Sequence, residues 1–198
     1  SFLFKMCWGL FASPNLLLIN RMEYRRAWCS GGCFFLTVIT HDRKPILTIP
    51  DNISRLRAVF SHIKRNRPFI IDGIVVLPDH LHCIWRLPED DSDFVTRWRL
   101  IKHYFSRSCL GIEGILNQSR QSKKEKGIWQ RRYWEHLVRD EQDWRKHMDY
   151  IHYNPVKHGF AKMPIQWPYS SFKHCVEKGW YPSDWGSIEP NTCKGMNL

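Results

Sequence analysis

The stretch from Phe69 to Pro88 constrains the fold most. It holds two apolar, β-rich runs, FIIDGIVVLP and HLHCIWRLP, with only Pro78 and Asp79 as turn material between them. Runs joined that tightly read as adjacent antiparallel strands, because a parallel pair needs a crossover of a dozen or more residues. Upstream, CFFLTVIT from Cys33 is rich in aromatic and β-branched residues and stops at HDRKP, which predicts another strand followed by a loop. Residues 51–66 put Ile53, Leu56, Val59, Phe60 and Ile63 at helical spacing, with Asp51 as the expected cap and Arg55, Arg57, Lys64 and Arg65 elsewhere around the helix.

After the strand pair, acidic EDDSD leads into a second helix. Its stripe is Phe94, Val95, Trp98, Ile101 and Phe105, which leaves Arg97, Arg99, Lys102 and Arg107 for solvent or a ligand. Residues 111–128 lose periodicity, and SRQSKKEKG reads as a flexible loop able to brush a phosphate backbone. IWQRRYWEHLVRD gives a further strand-like run. Asp140 then opens a third helix, expected to reach His152–Asn154 and end near Pro155. The order strand, helix, strand, strand, helix, strand, helix predicts an α+β sandwich on a mostly antiparallel sheet.

Composition narrows the partners. Lys and Arg number 30 against 19 Asp and Glu, a formal charge of +11, which points to a polyanion, most often nucleic acid. With 43% hydrophobic residues the chain has material for a core and is not a disordered basic tail. Ten tryptophans offer stacking surfaces for unpaired bases, although most are expected to fill the core. Seven cysteines form no regular framework, and Cys29 and Cys33 have three residues between them rather than the two of a zinc knuckle, so they read as reduced thiols in a cytoplasm. The apolar N-terminus is interrupted by Lys5, Pro14 and Asn15, and no run approaches the roughly 18 residues of a membrane span. Residues 1–21 are expected to be an extension outside the fold, 22–157 its main body, and the Pro-, Trp- and Tyr-rich 158–198 a tail that folds back on it.

Two patterns bear on chemistry. In a strand, His80 and His82 present both imidazoles on one face, a bidentate metal platform, although a lone His-x-His is more often packing or surface decoration. In the helix DWRKHMDYIHYNP, 100° per residue groups Trp144, Met148 and Ile151 as the core face. Asp143, His147, Tyr150, Asn154 and Lys157 share a flank, with Tyr150 well off the core stripe and Asn154 one turn on. The asparagine carbonyl could complete a metal shell; the plainer reading is a solvated face with a snorkelling tyrosine.

His80-Leu81-His82 combined with Tyr150-Ile151-His152-Tyr153-Asn154 resembles the single-tyrosine HUH nucleases, specifically the REP-associated tyrosine transposases. Further likeness lies in YRRAW at Tyr24–Trp28, RPF with VVLPDHLHCIW, RWRLIKHYF, WQRRYWEHLVRD, YIHYNPVKHGF, WPYSSF and YPSDWG, together spanning about residues 22–186. The leading 21 residues have no counterpart, and the loop at 111–128 is longer than the family pattern.

The resemblance implies a ferredoxin-like HUH sandwich with helices on the faces of its sheet. It also implies a divalent cation, magnesium or manganese, on His80, His82 and Asn154. Tyr150 would be the nucleophile, forming a 5′-phosphotyrosine, with Tyr153 as the alternative. The substrate would be a REP-type DNA hairpin with an adjoining GTAG-like tetranucleotide, and the protein a monomer in the bacterial cytoplasm and nucleoid. Tyr24, Arg25 and Arg26 are candidates for base reading, and Arg97, Arg131 and Arg132 for the DNA backbone. Two alternatives stand beside this reading: a catalytically silent binder of hairpin DNA or RNA, and a Cys2His2 zinc site of Cys29, Cys33, His80 and His82.

Overall fold

Strand β1 (Cys33–Ile39) lies in the interior of a four-stranded sheet, because every residue from Phe34 to Val38 is buried and both edges of the strand are paired. The computed structural model describes residues 29–109, 118–123 and 125–196. Residues 1–21, and Tyr24, Arg25 and Arg26, lie outside the described residues. β2 (Ile70–Val76) and β3 (His80–Arg86) form the expected antiparallel pair, and β4 (Trp134–Leu137) flanks β1. The strand order is β2-β3-β1-β4, with every neighbour antiparallel. That is the arrangement of a split β-α-β-β-α-β unit, so the α+β sandwich is the observed fold.

Helices α1 (Pro50–Asn66) and α2 (Phe94–Ser108) cover one face of the sheet. Their stripes meet Phe34, Leu36, Val38 and Trp85, and Trp85 stacks on Trp98 at 4.7 Å and 7°. These tryptophans are core filler, as expected for most of the ten. Asp51 does not cap α1: the helix begins at Pro50 after Ile49, and a proline there loses only an N–H that would be unpaired anyway. Asp93 does cap α2, its side chain accepting from Thr96 N at 2.9 Å. Inside the segment expected to be a loop, a short helix α3 (Gln118–Ser122) forms; residues 110–117 and 124 are outside the described residues.

The other face carries α4 (Glu141–Lys157), which runs past the expected stop and contains Pro155 in its last turn. There the proline removes one terminal backbone bond rather than a ladder, and Gly159, at φ +72, ends the helix. Gly73 in β2 lets α4 approach the sheet, since a Cβ there would lie 2.5 Å from Met148 Sδ. The chain then packs back on β2 and α4. Ser170 bridges Val75, Ser171 N donates to Ile74 O at 2.8 Å, and α5 (Phe172–Glu177) buries Phe172 and Cys175. The six described cysteines are free thiols, and no helix among the described residues is long and apolar enough to cross a membrane.

Candidate active site

β3 sets His80 and His82 on the face toward α4, as the two-residue period requires. His82 sits opposite Thr37 in the β1–β3 register, and Thr37 Oγ1 lies 2.8 Å from its Nδ1. His80 Nδ1 lies 2.6 Å from Asp79 Oδ1, the turn residue just before it. The Asp79 carboxylate requires the proton on His80 Nδ1, whereas the Thr37 hydroxyl can either accept from His82 Nδ1 or donate to it; with Nδ1 protonated, Nε2 is the lone-pair nitrogen. The two rings meet edge-on at 4.9 Å.

The electrostatics favour a neutral ligand. Burial pushes His82 well below the ordinary histidine value, and His80, His158, Lys157 and Arg43 push the same way. Burial also lowers His158, whose ring stands 5.3 Å from His80. At Asp79 burial acts to raise the pKa, but the hydrogen bonds and charges of His80 and Arg43 outweigh it and hold the carboxyl below its usual value.

α4 brings Tyr150 to this pair. Its ring packs edge-on against His82 at 5.2 Å and against Phe35 at 6.1 Å, and Lys157 Nζ stands 5.2 Å from its centre. Tyr150 is 2% exposed and belongs to the core against Phe35, Ile84 and Met148, so the expected solvated flank with a tyrosine off the core stripe is wrong. The reason is that α4 is covered twice, by the sheet and by the returning tail. Asp149 accepts from Tyr181 Oη and Thr192 Oγ1, both at 2.7 Å, and His152 Nε2 lies 3.1 Å from Ser171 Oγ. Trp144, assigned to the core stripe, is half-buried against that core, its indole N–H donating to Asp72 at 3.0 Å.

Asn154 is fully buried, and neither its Oδ1 nor its Nδ2 has a hydrogen-bond partner; His82 Nε2 is likewise unpartnered. Leaving a buried polar atom unpaired costs about 1–3 kcal/mol. Two of these atoms, His82 Nε2 and Asn154 Oδ1, can offer a lone pair to a cation, and with His80 they would make a donor set of two imidazoles and an amide oxygen. Tyr153 makes no ring or hydrogen-bond contact with His80 or His82 among the described residues. Its pKa is raised, first by burial and then by Glu189 and Cys193 of the tail.

A second group lies further along the same face. His136, Asp143 and His147 have ligand-capable atoms within 4.8 Å of one another, so a His/Asp site that could hold a metal ion exists here. It is also a hydrogen-bonded clasp between β4 and α4. Asp143 Oδ2 accepts from His136 Nε2 at 2.8 Å and Arg139 N at 3.0 Å, and the residue helps start α4. The Cys2His2 site is excluded by register: Cys33 pairs with Arg86 and Ile39 with His80, so Cys33 and His80 are six strand positions, about 20 Å, apart.

The expected DNA-backbone residues separate. Arg97 is not available, being 1% exposed. Its guanidinium pairs with Asp91 at 2.6 and 3.1 Å and donates to the carbonyls of Arg67, Pro68 and Asp93. The stripe 94, 97, 98, 101 contains position 97, so its place on the helix, not its charge, decided its burial. Arg131 is exposed and paired with Glu125 at 2.9 Å, and Arg132 is exposed without a carboxylate partner among the described residues. Thr37, Asp79 and His158 were missed; Thr37 was legible only through the strand register.

No family model matches the chain. A REP-associated tyrosine transposase of Escherichia coli (strain K12) is 45% identical over 163 residues, 82% of this chain and 90% of the relative. A putative REP-associated tyrosine transposase of Haemophilus influenzae is 42% identical over 174 residues, 87% of this chain and 98% of the relative. The solved structure of a REP-associated tyrosine transposase bound to a REP hairpin is similar with a TM-score of 0.70 at 41% identity, covering 89% of this chain and 99% of the other.

Proposed function

The chain belongs to the REP-associated tyrosine transposases, and on that premise we propose that it cuts and rejoins single-stranded DNA beside REP-type hairpins through a 5′-phosphotyrosine on Tyr150. The observation that carries this reading is the buried group in which Tyr150 packs on His82 at 5.2 Å while His82 Nε2 and both polar atoms of Asn154 are unpartnered. A divalent cation, magnesium or manganese, held by His80, His82 and Asn154 would draw charge from the scissile phosphate and fix its orientation. With Nδ1 of each imidazole engaged by Thr37 or Asp79, Nε2 is the nitrogen that would be offered to the cation.

A tyrosine hydroxyl has a pKa near 10, so it attacks well only when its proton is lost. The Lys157 ammonium stands 5.2 Å from the Tyr150 ring centre and donates to Met196 O. Tyr150 Oη forms a bond to phosphorus as the bond from phosphorus to the 3′ oxygen breaks. The proton lost by the tyrosine is balanced by the one taken up at the 3′-OH. One phosphate ester replaces another, so the reverse attack by a 3′-OH rejoins a strand without ATP. A single nucleophile cuts one strand at a time. The DNA is a REP-type hairpin with a GTAG-like tetranucleotide beside it, read by Tyr24, Arg25 and Arg26 and held along its backbone by Arg131 and Arg132. The protein acts as a monomer in the bacterial cytoplasm, at the nucleoid.

The test is a denaturing gel with hairpin DNA labelled at either end, incubated with magnesium or manganese. Wild type yields a protein-linked 5′ product and a free 3′-OH. Tyr150→Phe keeps hairpin binding and loses the adduct, Tyr153→Phe keeps it, and His82→Ala loses cleavage with affinity nearly intact. An adduct that persists in Tyr150→Phe moves the nucleophile to Tyr153. Binding without any cleavage by wild type leaves the silent hairpin binder.

A further inference from the structure

His136, Asp143 and His147 converge from two elements. β4 supplies His136, and the first turns of α4 supply Asp143 and His147, four residues apart and so on one side of the helix. One nitrogen or oxygen of each residue lies within 4.8 Å of the others. Ligands of zinc stand about 2.0–2.2 Å from the ion and hence roughly 3.3 Å from one another, so the side chains need move inward by no more than about 1.5 Å to hold it. The side chains of Asp143 and His147 are 7% and 6% exposed and that of His136 is 25% exposed. One side of the group is therefore open to solvent, for entry of an ion and for a water as its fourth ligand.

The hydrogen bonds already present suit a ligand set. His147 Nδ1 lies 2.8 Å from the backbone oxygen of Asp143, which can only accept, so Nδ1 carries the hydrogen and Nε2 the lone pair. A ring N–H held by a backbone carbonyl is what orients imidazole ligands in metal sites generally. His136 Nε2 lies 2.8 Å from Asp143 Oδ2. A neutral imidazole holds its hydrogen on either nitrogen, so Nε2 can take an ion once the hydrogen sits on Nδ1. Arg139 N keeps its bond to Oδ2 at 3.0 Å, whereas the Arg139 side chain, 73% exposed, is able to swing into water when an ion replaces its charge. Rings wall the group on both sides, Trp134 at 5.8 Å from His136 and Phe35 at 4.6 Å from His147.

This group is separate from the histidine pair beside Tyr150. His136 pairs with Phe35 and His82 with Thr37, so the two residues are two strands and two positions apart, about 12 Å between Cα atoms. The Phe35 ring stands between them, 5.6 Å from His82 and 4.6 Å from His147. We infer that His136, Asp143 and His147 form a second metal site, which takes a borderline transition ion of the zinc class and locks the β4 edge to α4 three residues before Tyr150. Two imidazoles and a carboxylate hold zinc more tightly than manganese, and the carboxylate supplies the negative charge without help from a phosphate. The ion is a clamp in the fold, bound with or without DNA.

The test uses the full chain carrying His82→Ala, stripped of metal with a chelator, so that the pair beside Tyr150 is broken. Cobalt is the probe, titrated by its visible absorption and then displaced with zinc. The chain is expected to bind a single cobalt ion, to bind manganese more weakly, and to gain about 5–10 °C in thermal midpoint from zinc at about a hundredfold excess over its Kd. Two further substitutions are made separately in that chain. His136→Gln and His147→Asn put an amide N–H where each imidazole now donates, to Asp143 Oδ2 and to Asp143 O, and remove the ligand nitrogen. Each should weaken cobalt binding by at least about 10- to 100-fold and abolish the zinc shift, with the metal-free midpoint unchanged. If one of them lowers that midpoint, the other carries the comparison. Cobalt binding that survives both substitutions puts the ion elsewhere and overturns the assignment. A parent chain whose midpoint does not respond to zinc overturns it too, and leaves the cluster as a hydrogen-bonded clasp alone.

Discussion

Thr37 Oγ1 and His82 Nδ1 lie 2.8 Å apart across the β1–β3 pair, both fully or nearly fully buried, so one strand fixes the imidazole that the other presents. Removing the hydroxyl should free the tautomer without disturbing the sheet, since valine matches threonine in shape and suits a strand. Thr37→Val is expected to cut magnesium-dependent cleavage by about 10- to 100-fold and to be partly rescued by higher metal concentration. Thr37→Ser should stay near wild type. Cleavage rates over a metal titration check this, and a Thr37→Val protein with the wild-type metal dependence would show that the hydroxyl only fills space.

Arg97 looked like a DNA contact and is a structural clamp. Its guanidinium joins Asp91 to the chain before β2 through the carbonyls of Arg67 and Pro68. Arg97→Met should lower stability by about 3 kcal/mol, because several carbonyls and a carboxylate lose their donor together. Hairpin affinity per folded molecule should not change. Urea unfolding combined with anisotropy separates the two, and a variant of full stability with weakened DNA binding would return Arg97 to the interface.

The clasp of Asp143 predicts an acid dependence. Burial acts to raise this carboxyl, but the hydrogen bonds of His136 and Arg139 outweigh it and hold it at about 2, below an ordinary value of 3.8. A depressed carboxyl stabilises the fold fully above its unfolded pKa and loses that contribution as pH falls through the folded one. Asp143 should therefore contribute about 2 kcal/mol at neutral pH that fades between pH 4 and 2. The stability difference between wild type and Asp143→Asn, measured by denaturant titration from pH 6 downward, should shrink over that window. A difference that is constant with pH would mean that the charge plays no part.

How far the sequence speaks for itself differs between the two halves of the site. The strand pair was legible because apolar runs bounded by a proline turn leave few options, and the two-residue period then placed His80 and His82 on one face. The fourth strand was overread, since only Trp134–Leu137 pairs with β1. Helix α4 was misread because periodicity assumes one buried face and one wet one. Here Asp149 and His152 are buried against the tail while Met148, Tyr150 and Ile151 are buried against the sheet, so polar residues sit at buried positions and the stripe is lost. The tail contacts that cause this come from residues 19, 32 and 43 positions downstream, beyond the reach of any local pattern.

That same packing decides what the tail does. Trp167 Nε1 donates to Val76 O at 3.0 Å, and Ile74 N donates to Ser171 Oγ at 2.9 Å, so the tail closes the outer edge of β2. Beyond Phe172, Cys175 and Cys193 are buried, Tyr181 and Trp185 pack on Phe172, and Tyr181 and Thr192 supply both hydroxyls bound to Asp149. Truncation after Phe172 would strip that carboxylate of its donors on the helix that carries Tyr150, exposing Phe172 and His152 as well. The expected outcome is loss of a cooperative thermal transition, with dye binding to exposed apolar surface and no cleavage. Calorimetry and a cleavage assay on the truncated chain check this. A truncated protein that still unfolds cooperatively and cleaves faster than wild type would instead make the segment a lid over the active site.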